Sequence, residues 1–399
     1  NQDFSKTVGL GTRPYDVVGW TMPLQMGVNC VAIYSPEVLD ADMRMVDQAN
    51  MAAGQFIGNA GAKDAGKSGN LNSGAKDAGK NYVLRNQQNN VVTAVFELLD
   101  KEVQVLWSDE AFTVDGMDFP KGTIIIPNND KGLKQIMANL ADEQKLTFYT
   151  VGDIAAETSE IQFPRVGLYY DWSNTTQEGW NRMVLEAYHI PFERVTKNDV
   201  LAGNLSDRFD VVLFSDQSES SIYRGSTSTL PNYPEEWKGG LGDAGVALLK
   251  QFVEDGGYIM TMNASSNLII NRFDVGLQSK PNGGFVCPGS ILAAVANPDM
   301  PPAYSFALDT NCPVFFNNGP LFNVTNPDAV SVVTYADDNL MLSGYTDKEE
   351  AVLGSPAVVQ IPLGEGQILA TNMKPMNRSQ AEGNFPMIFN FILSSNTVD

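Results

Sequence analysis

The chain has 399 residues, 43% of them apolar, which is enough to build more than one packed core and excludes overall disorder. It carries 47 acidic against 26 basic residues, a formal net charge of -21. That balance opposes binding to phosphate backbones or anionic lipid, because both depend on Lys and Arg displacing counterions, and nucleic acid is excluded as a partner.

In chain order, Arg13 to Val28 and the apolar run Cys30 to Tyr34 read as extended or turn structure entering a sheet. The heptapeptide Gly-Ala-Lys-Asp-Ala-Gly-Lys then occurs twice, at 61–67 and 74–80, inside a Gly-rich stretch that reads as a surface loop. Two copies do not make a solenoid, and no strand precedes them as a phosphate-cradling loop requires. Regular patterning starts at Tyr82 to Leu84, a strand. It continues with a helix over 90–99, a strand over 103–107 and a hairpin over 111–119 turning at Asp115-Gly116. A strand at 123–127, a helix over 131–141 and a strand at 146–149 complete a small α/β unit closing near Ile161.

From Arg165 the pattern changes to buried strands alternating with helices. The strands are 165–170, 209–214 and 258–262. Between them lie a helix bearing Trp180, Met183, Val184, Ala187 and Tyr188 at helical spacing, and a second helix over 245–255 ended by Gly256-Gly257. This alternation predicts a doubly wound parallel sheet. Further strands at 330–335, 357–361 and 366–370 and a helix over 385–393 extend it. The expected class is therefore α/β, with an N-terminal β segment and Gly-rich loop at 1–80, a small α/β domain at 81–161 and a parallel-sheet domain at 162–399. No apolar run approaches the roughly 20 residues needed to span a bilayer.

Chemistry is limited by scarcity. A catalytic zinc site needs several imidazoles or imidazoles with carboxylate, and the chain has a single histidine, His189, so no metal site is assigned to it. Cys30, Cys287 and Cys312 form no CxxC pair, and a Cys287–Cys312 disulfide and two free buried thiols both remain open. Asp337-Asp338, Asp207 with Asp210, and Glu349-Glu350 are the oxygen-only cation candidates, each reading first as a solvated face. A hydrolase nucleophile would sit at the elbow after 258–262, where Ser265 is the available hydroxyl and His189 its only imidazole. His189 instead reads as a helix-end residue, and no catalytic residue is assigned. The segment 216–242 is long, polar and aromatic and follows a buried strand at the carboxyl edge, where doubly wound folds bind ligands. Asp216, Arg224, Tyr233 and Trp237 are its candidate ligand-binding residues.

Seven motifs in order carry a resemblance. They are Pro14 to Val28, Phe119-Pro-Lys-Gly-Thr123, Pro164 to Tyr169, Glu178-Gly-Trp180, Gly239-Gly-Leu-Gly242, Cys287-Pro-Gly-Ser-Ile-Leu292 and Pro362-Leu-Gly-Glu-Gly366. Together they resemble the region downstream of the catalytic domain in large bacterial zinc carboxypeptidase-like proteins. The resemblance implies a peptidase domain upstream, which holds the zinc, and an exported, extracytoplasmic protein. It also implies a last domain similar to class I glutamine amidotransferases. Those enzymes place Cys at the elbow and His after a late strand, where this chain has Asn263-Ala264-Ser265 and Thr371-Asn-Met-Lys-Pro375. The expected function is a non-catalytic accessory or binding portion whose partner is the upstream domain or another protein surface, with no cofactor of its own. The alternative is a free-standing hydrolase using Ser265 or a carboxylate pair.

Overall fold

The computed structural model describes residues 21–27, 35–42, 56–57, 80–129, 132–172, 175–225, 233–304 and 312–398. The strand expected at 30–34, both copies of the heptapeptide up to residue 79, and residues 226–232 of the aromatic loop lie outside the described residues. The chain divides into two compact units, one of Val28–Thr158 and one of Asn1–Gly27 with Ser159–Asp399.

The Val28–Thr158 unit contains β1 (Phe56–Ile57), β2 (Asn81–Leu84), α1 (Asn90–Asp100), β3 (Leu106–Ser108), β4 (Phe112–Val114), β5 (Met117–Phe119), β6 (Ile124–Pro127), α2 (Leu133–Gln144) and β7 (Phe148–Val151). Its sheet runs β1-β7-β2-β6-β3, parallel at β1–β7 and antiparallel at the other pairings. Val83, Phe119, Ile125 and Val151 make a small core, with Leu106, Phe112 and Tyr149 packed against it. The β4–β5 hairpin turns where expected, because Asp115 (φ 52°) and Gly116 (φ 76°) both take the left-handed conformation that a tight two-residue turn requires. The strand expected at 103–107 starts only at Leu106. The intervening residues terminate α1 instead: Glu102 turns left-handed at φ 55° and the Val103 amide returns to the Leu98 carbonyl at 3.0 Å.

The larger unit contains β8 (Thr158–Ile161), β9 (Val166–Tyr169), α3 (Thr175–Ala187), β10 (Phe192–Val195), β11 (Val211–Phe214), α4 (Gly242–Glu254), β12 (Tyr258–Met262), α5 (Ser266–Arg272), β13 (Leu277–Lys280), β14 (Ser290–Ala296), β15 (Cys312–Phe316), β16 (Leu321–Val324), β17 (Val330–Tyr335), β18 (Met341–Ser343), β19 (Pro356–Leu363), β20 (Gly366–Thr371), α6 (Phe385–Ser394) and β21 (Thr397–Val398). Its main sheet has the order β10-β9-β11-β12-β20-β19-β17-β14-β15, with β18 added on β14. The first five strands are parallel; from β19 onward every pairing is antiparallel. The class is α/β. The sheet is parallel only in the half that the sequence marks, and β14, β15 and β18 on its antiparallel side were not anticipated.

Both faces of the parallel half are covered. On one, Val212, Phe214, Ile259 and Ile368 pack with Leu249, Phe252 and Leu268 of α4 and α5. On the other, alternate positions meet α6, whose Phe391 ring lies 5.3 Å from that of Tyr258. Burial on two faces explains why β9, β11 and β12 read as continuous apolar runs. Met183, expected on the buried stripe of α3, is 52% exposed, while its neighbours Val184 and Leu185 are buried. Among the described residues, no helix is long and apolar enough to cross a membrane.

Candidate functional site

The strand order reverses at β9, which is flanked by β10 on one side and β11 on the other. The chain segments leaving the carboxyl ends of β9 and β11 therefore diverge and leave a crevice between them. From β9 come Tyr170, Asp171 and Trp172. From β11 come Ser215, Asp216 and Gln217, then a short helix Glu219–Tyr223 capped by Ser218, whose Oγ accepts the Ser221 amide at 3.1 Å.

The chain then returns to its own starting point. Leu241 N–H donates to the Ile222 carbonyl at 2.9 Å, and Gly225 and Gly240 meet backbone to backbone. A Cβ on Gly225 would stand 2.0 Å from the Gly239 carbonyl, and one on Gly240 would stand 2.5 Å from the Ile222 carbonyl. Only glycine lets the two strands of this loop cross so closely. The crossing delivers Tyr233 and Trp237 to the crevice, which is lined also by Tyr169, Asp171, Lys197 and Ser221.

Four rings cluster here, Tyr233 and Trp237 lining the space and Tyr170 and Trp172 packed against them. Tyr170 lies 5.3 Å from Trp237, edge to face, and Trp172 lies 6.0 Å from Trp237 and 6.4 Å from Tyr233. Such offset and edge contacts are the favourable arrangements for aromatic quadrupoles. Arg194 stacks on Tyr170 at 4.4 Å and is anchored by the buried Glu178, with Nε to Oε1 at 3.0 Å. The Gln217 amide donates to the Asp171 carboxylate, and Lys197 Nζ donates to the Lys238 carbonyl, so both charged groups are held in place. Burial, with Asp171 nearby adding to it, raises the Tyr169 phenol well above its ordinary range and keeps it neutral.

A second constellation forms where β12 ends. Asn263 is 4% exposed and left-handed, at φ 53°, a conformation that costs a non-glycine residue free energy and marks the sharp strand-to-helix elbow. Asp216 Oδ1 accepts from Asn263 Nδ2 at 3.0 Å and from the Ala264 amide at 3.1 Å, while its Oδ2 pairs with Lys374 Nζ at 2.7 Å. Asn263 Oδ1 is buried without a hydrogen-bond partner among the described residues and abuts Gly319, where a Cβ would approach it to 2.5 Å. The amide beside the elbow, which in an acyl-transfer enzyme would face a developing oxyanion, is already occupied by an internal carboxylate.

The residues singled out from sequence are thus divided. Tyr233 and Trp237 stand together at the crevice, Asp216 belongs to the elbow cluster, and Arg224 is exposed and lines neither. Ser265 is fully buried, with Oγ accepting the Met262 amide at 2.8 Å and donating toward the Met262 and Phe214 carbonyls. It serves as an internal cap and presents no nucleophile. His189 takes φ 55° just past the end of α3, and its amide donates to the Glu186 carbonyl, which is helix termination. Because α3 runs back antiparallel to β9, His189 lies at the opposite edge of the sheet from Ser265 and cannot act as its base.

Cys287 and Cys312 are free and buried, so the disulfide left open by the sequence is not formed. Asp210, one of the cation candidates, grips Arg165 at 2.7 Å and accepts from Asn396. Among the described residues no group of three or more His, Cys, Asp or Glu is placed to hold a metal ion. Sequence reasoning missed Tyr170, Asp171, Trp172, Lys197 and Lys374. The first three were signalled by the polar and aromatic end of the strand at 165–170, once that strand is recognised as the one where order reverses.

No protein-family model matches the chain, and no curated protein matches it. Solved structures similar in part include a β-galactosidase from Bacillus circulans sp. alkalophilus (14% identity, TM-score 0.35, 64% of this chain and 34% of that one). They also include one component of a putative GMP synthase from Thermoplasma acidophilum (12%, 0.35, 58% of this chain and 95% of that one). A third is PurLQS from Thermotoga maritima (15%, 0.40, 58% and 99%). The chain spans about a third of the length of the β-galactosidase it matches. At these values the likeness carries no functional inference, and the site is read from its own residues.

Proposed function

We propose that this chain is the non-catalytic accessory portion of an exported zinc carboxypeptidase-like protein, and that its larger unit is a glutamine amidotransferase-like fold turned into a binding module. The peptidase domain, and with it the zinc, would lie upstream. The observation that carries the reading is the elbow: Asn263 and Lys374 occupy the regions where such enzymes need Cys and His, and both are tied to Asp216. An amide and an ammonium ion committed to one carboxylate offer neither a nucleophile nor a general base. Ligand binding falls instead to the aromatic crevice beside it.

Two measurements test this. The chain alone should hydrolyse neither glutamine nor simple esters, with or without added zinc. The same chain expressed with the coding sequence that precedes it should show zinc-dependent carboxypeptidase activity. Hydrolysis by the chain alone that is lost in Asn263→Ala or Lys374→Ala would overturn the reading, as would an upstream sequence with no peptidase activity.

A further inference from the structure

The crevice at the switch point combines features that select one ligand chemistry. Its rings form a contiguous set with centroid separations of 5.3 to 6.4 Å, and Trp172, packed on the lining residues Tyr233 and Trp237, keeps 48% of its surface in water. An indole so placed is a flat apolar surface held in position at the carboxyl edge of the sheet.

The polar groups beside it carry both signs. Asp171 and Lys197 line the same narrow space with the Ser221 hydroxyl. A cationic ligand would meet the Lys197 ammonium, and an anionic one would meet Asp171 within a chain of net charge -21. A wholly apolar ligand would leave unmet the hydrogen-bonding capacity that both charged groups retain beyond their contacts to Gln217 and Lys238. An extended peptide gains no main-chain pairing here, because the crevice lies over strand ends and β9 is already bonded on both sides. What fits is a neutral molecule with one apolar face and hydroxyl groups that both donate and accept.

We propose that the crevice binds a neutral saccharide. A pyranose ring lays its C–H face on the Trp172 and Trp237 indoles, and its hydroxyls donate to Asp171 and accept from Lys197. This rests on the reading of the larger unit as a binding module and supplies the ligand class for it.

The test is isothermal titration calorimetry of the whole chain with cellohexaose, xylohexaose and mannohexaose, and with a neutral decapeptide as the comparison. At least one saccharide should bind with Kd below about 1 mM. Trp172→Ala, which removes a half-exposed ring, should keep the wild-type far-ultraviolet circular dichroism and melting temperature while weakening that saccharide about tenfold or more. Lys197→Met should weaken it as well. The proposal fails if none of the three saccharides saturates, if only the peptide does, or if binding survives unchanged in Trp172→Ala. Failure of all three saccharides with a chain that hydrolyses nothing sinks the ligand class alone. Saccharide binding by a chain that does hydrolyse glutamine or esters sinks the accessory reading alone.

Discussion

Lys374 Nζ lies 2.7 Å from Asp216 Oδ2, and the two side chains retain only 15% and 14% of their exposure. They leave the ends of β20 and β11, so the pair bridges across β12 and fixes the elbow between them. Removing one partner strands a largely buried charge. Lys374→Met should therefore destabilise the unit by about 3 to 5 kcal/mol, and pairing it with Asp216→Asn should recover much of the loss. Urea denaturation of the two single variants and the double variant reads the coupling; additive losses would show that the pair does not act as a buried ion pair.

Ser265→Ala separates the cap from the nucleophile. The Met262 amide would lose its acceptor inside the core, at a cost of about 1 to 3 kcal/mol. Any hydrolytic activity of the chain should be unchanged per folded molecule. A loss of activity without loss of stability would restore Ser265 as a catalytic candidate.

How much of this was legible in the sequence depended on how each element is buried. The strands β9, β11 and β12 are covered on both faces, so their apolar runs are continuous and their type is plain. β10 reads Phe-Glu-Arg-Val and sits at the sheet edge with Glu193 and Arg194 exposed, which leaves neither a run nor an alternation to detect. β14 and β15 are defined by pairing with each other and with β17, contacts between distant segments that no local window contains. The same holds for the site. Tyr233 and Trp237 were visible because aromatic residues gathered in a polar loop are locally unusual. Lys374 was not, because only the parallel register of β12 with β20 brings it to Asp216.

Alkaline pH should weaken the larger unit through its thiols. Burial raises Cys287 to about 11 and Cys312 to about 12, above the ordinary value of 9.0. A raised folded-state value means that the contribution is complete below pH 9, where the unfolded thiols are still protonated. It is lost as pH rises from there through the folded values, because the unfolded chain releases protons that the folded one retains. Stability measured across this window should fall, and the slope should flatten in Cys287→Ala and Cys312→Ala. A thiol reagent at neutral pH should label neither Cys287 nor Cys312 until the protein unfolds; rapid labelling of either one in the native chain, located by peptide mass spectrometry, would contradict their burial.

The crossing of Gly225 and Gly240 makes a graded prediction for two adjacent glycines, Gly239 and Gly240. Gly239 is left-handed at φ 75°, but its added Cβ would meet only Lys197 Nζ, at 3.9 Å, so Gly239→Ala should cost only the left-handed strain of about 1 to 2 kcal/mol. Gly240→Ala drives a Cβ to 2.5 Å from the Ile222 carbonyl and 2.6 Å from the Gly225 amide nitrogen, backbone atoms that no rotamer change can move. The two legs of the loop must then separate, and Trp237 moves with them away from Tyr170 and Trp172. Gly240→Ala should therefore lose the near-ultraviolet dichroism of the coupled rings while the far-ultraviolet spectrum stays native, and Gly239→Ala should keep both. Equal behaviour of the two variants would mean that the crossing does not position the ring cluster.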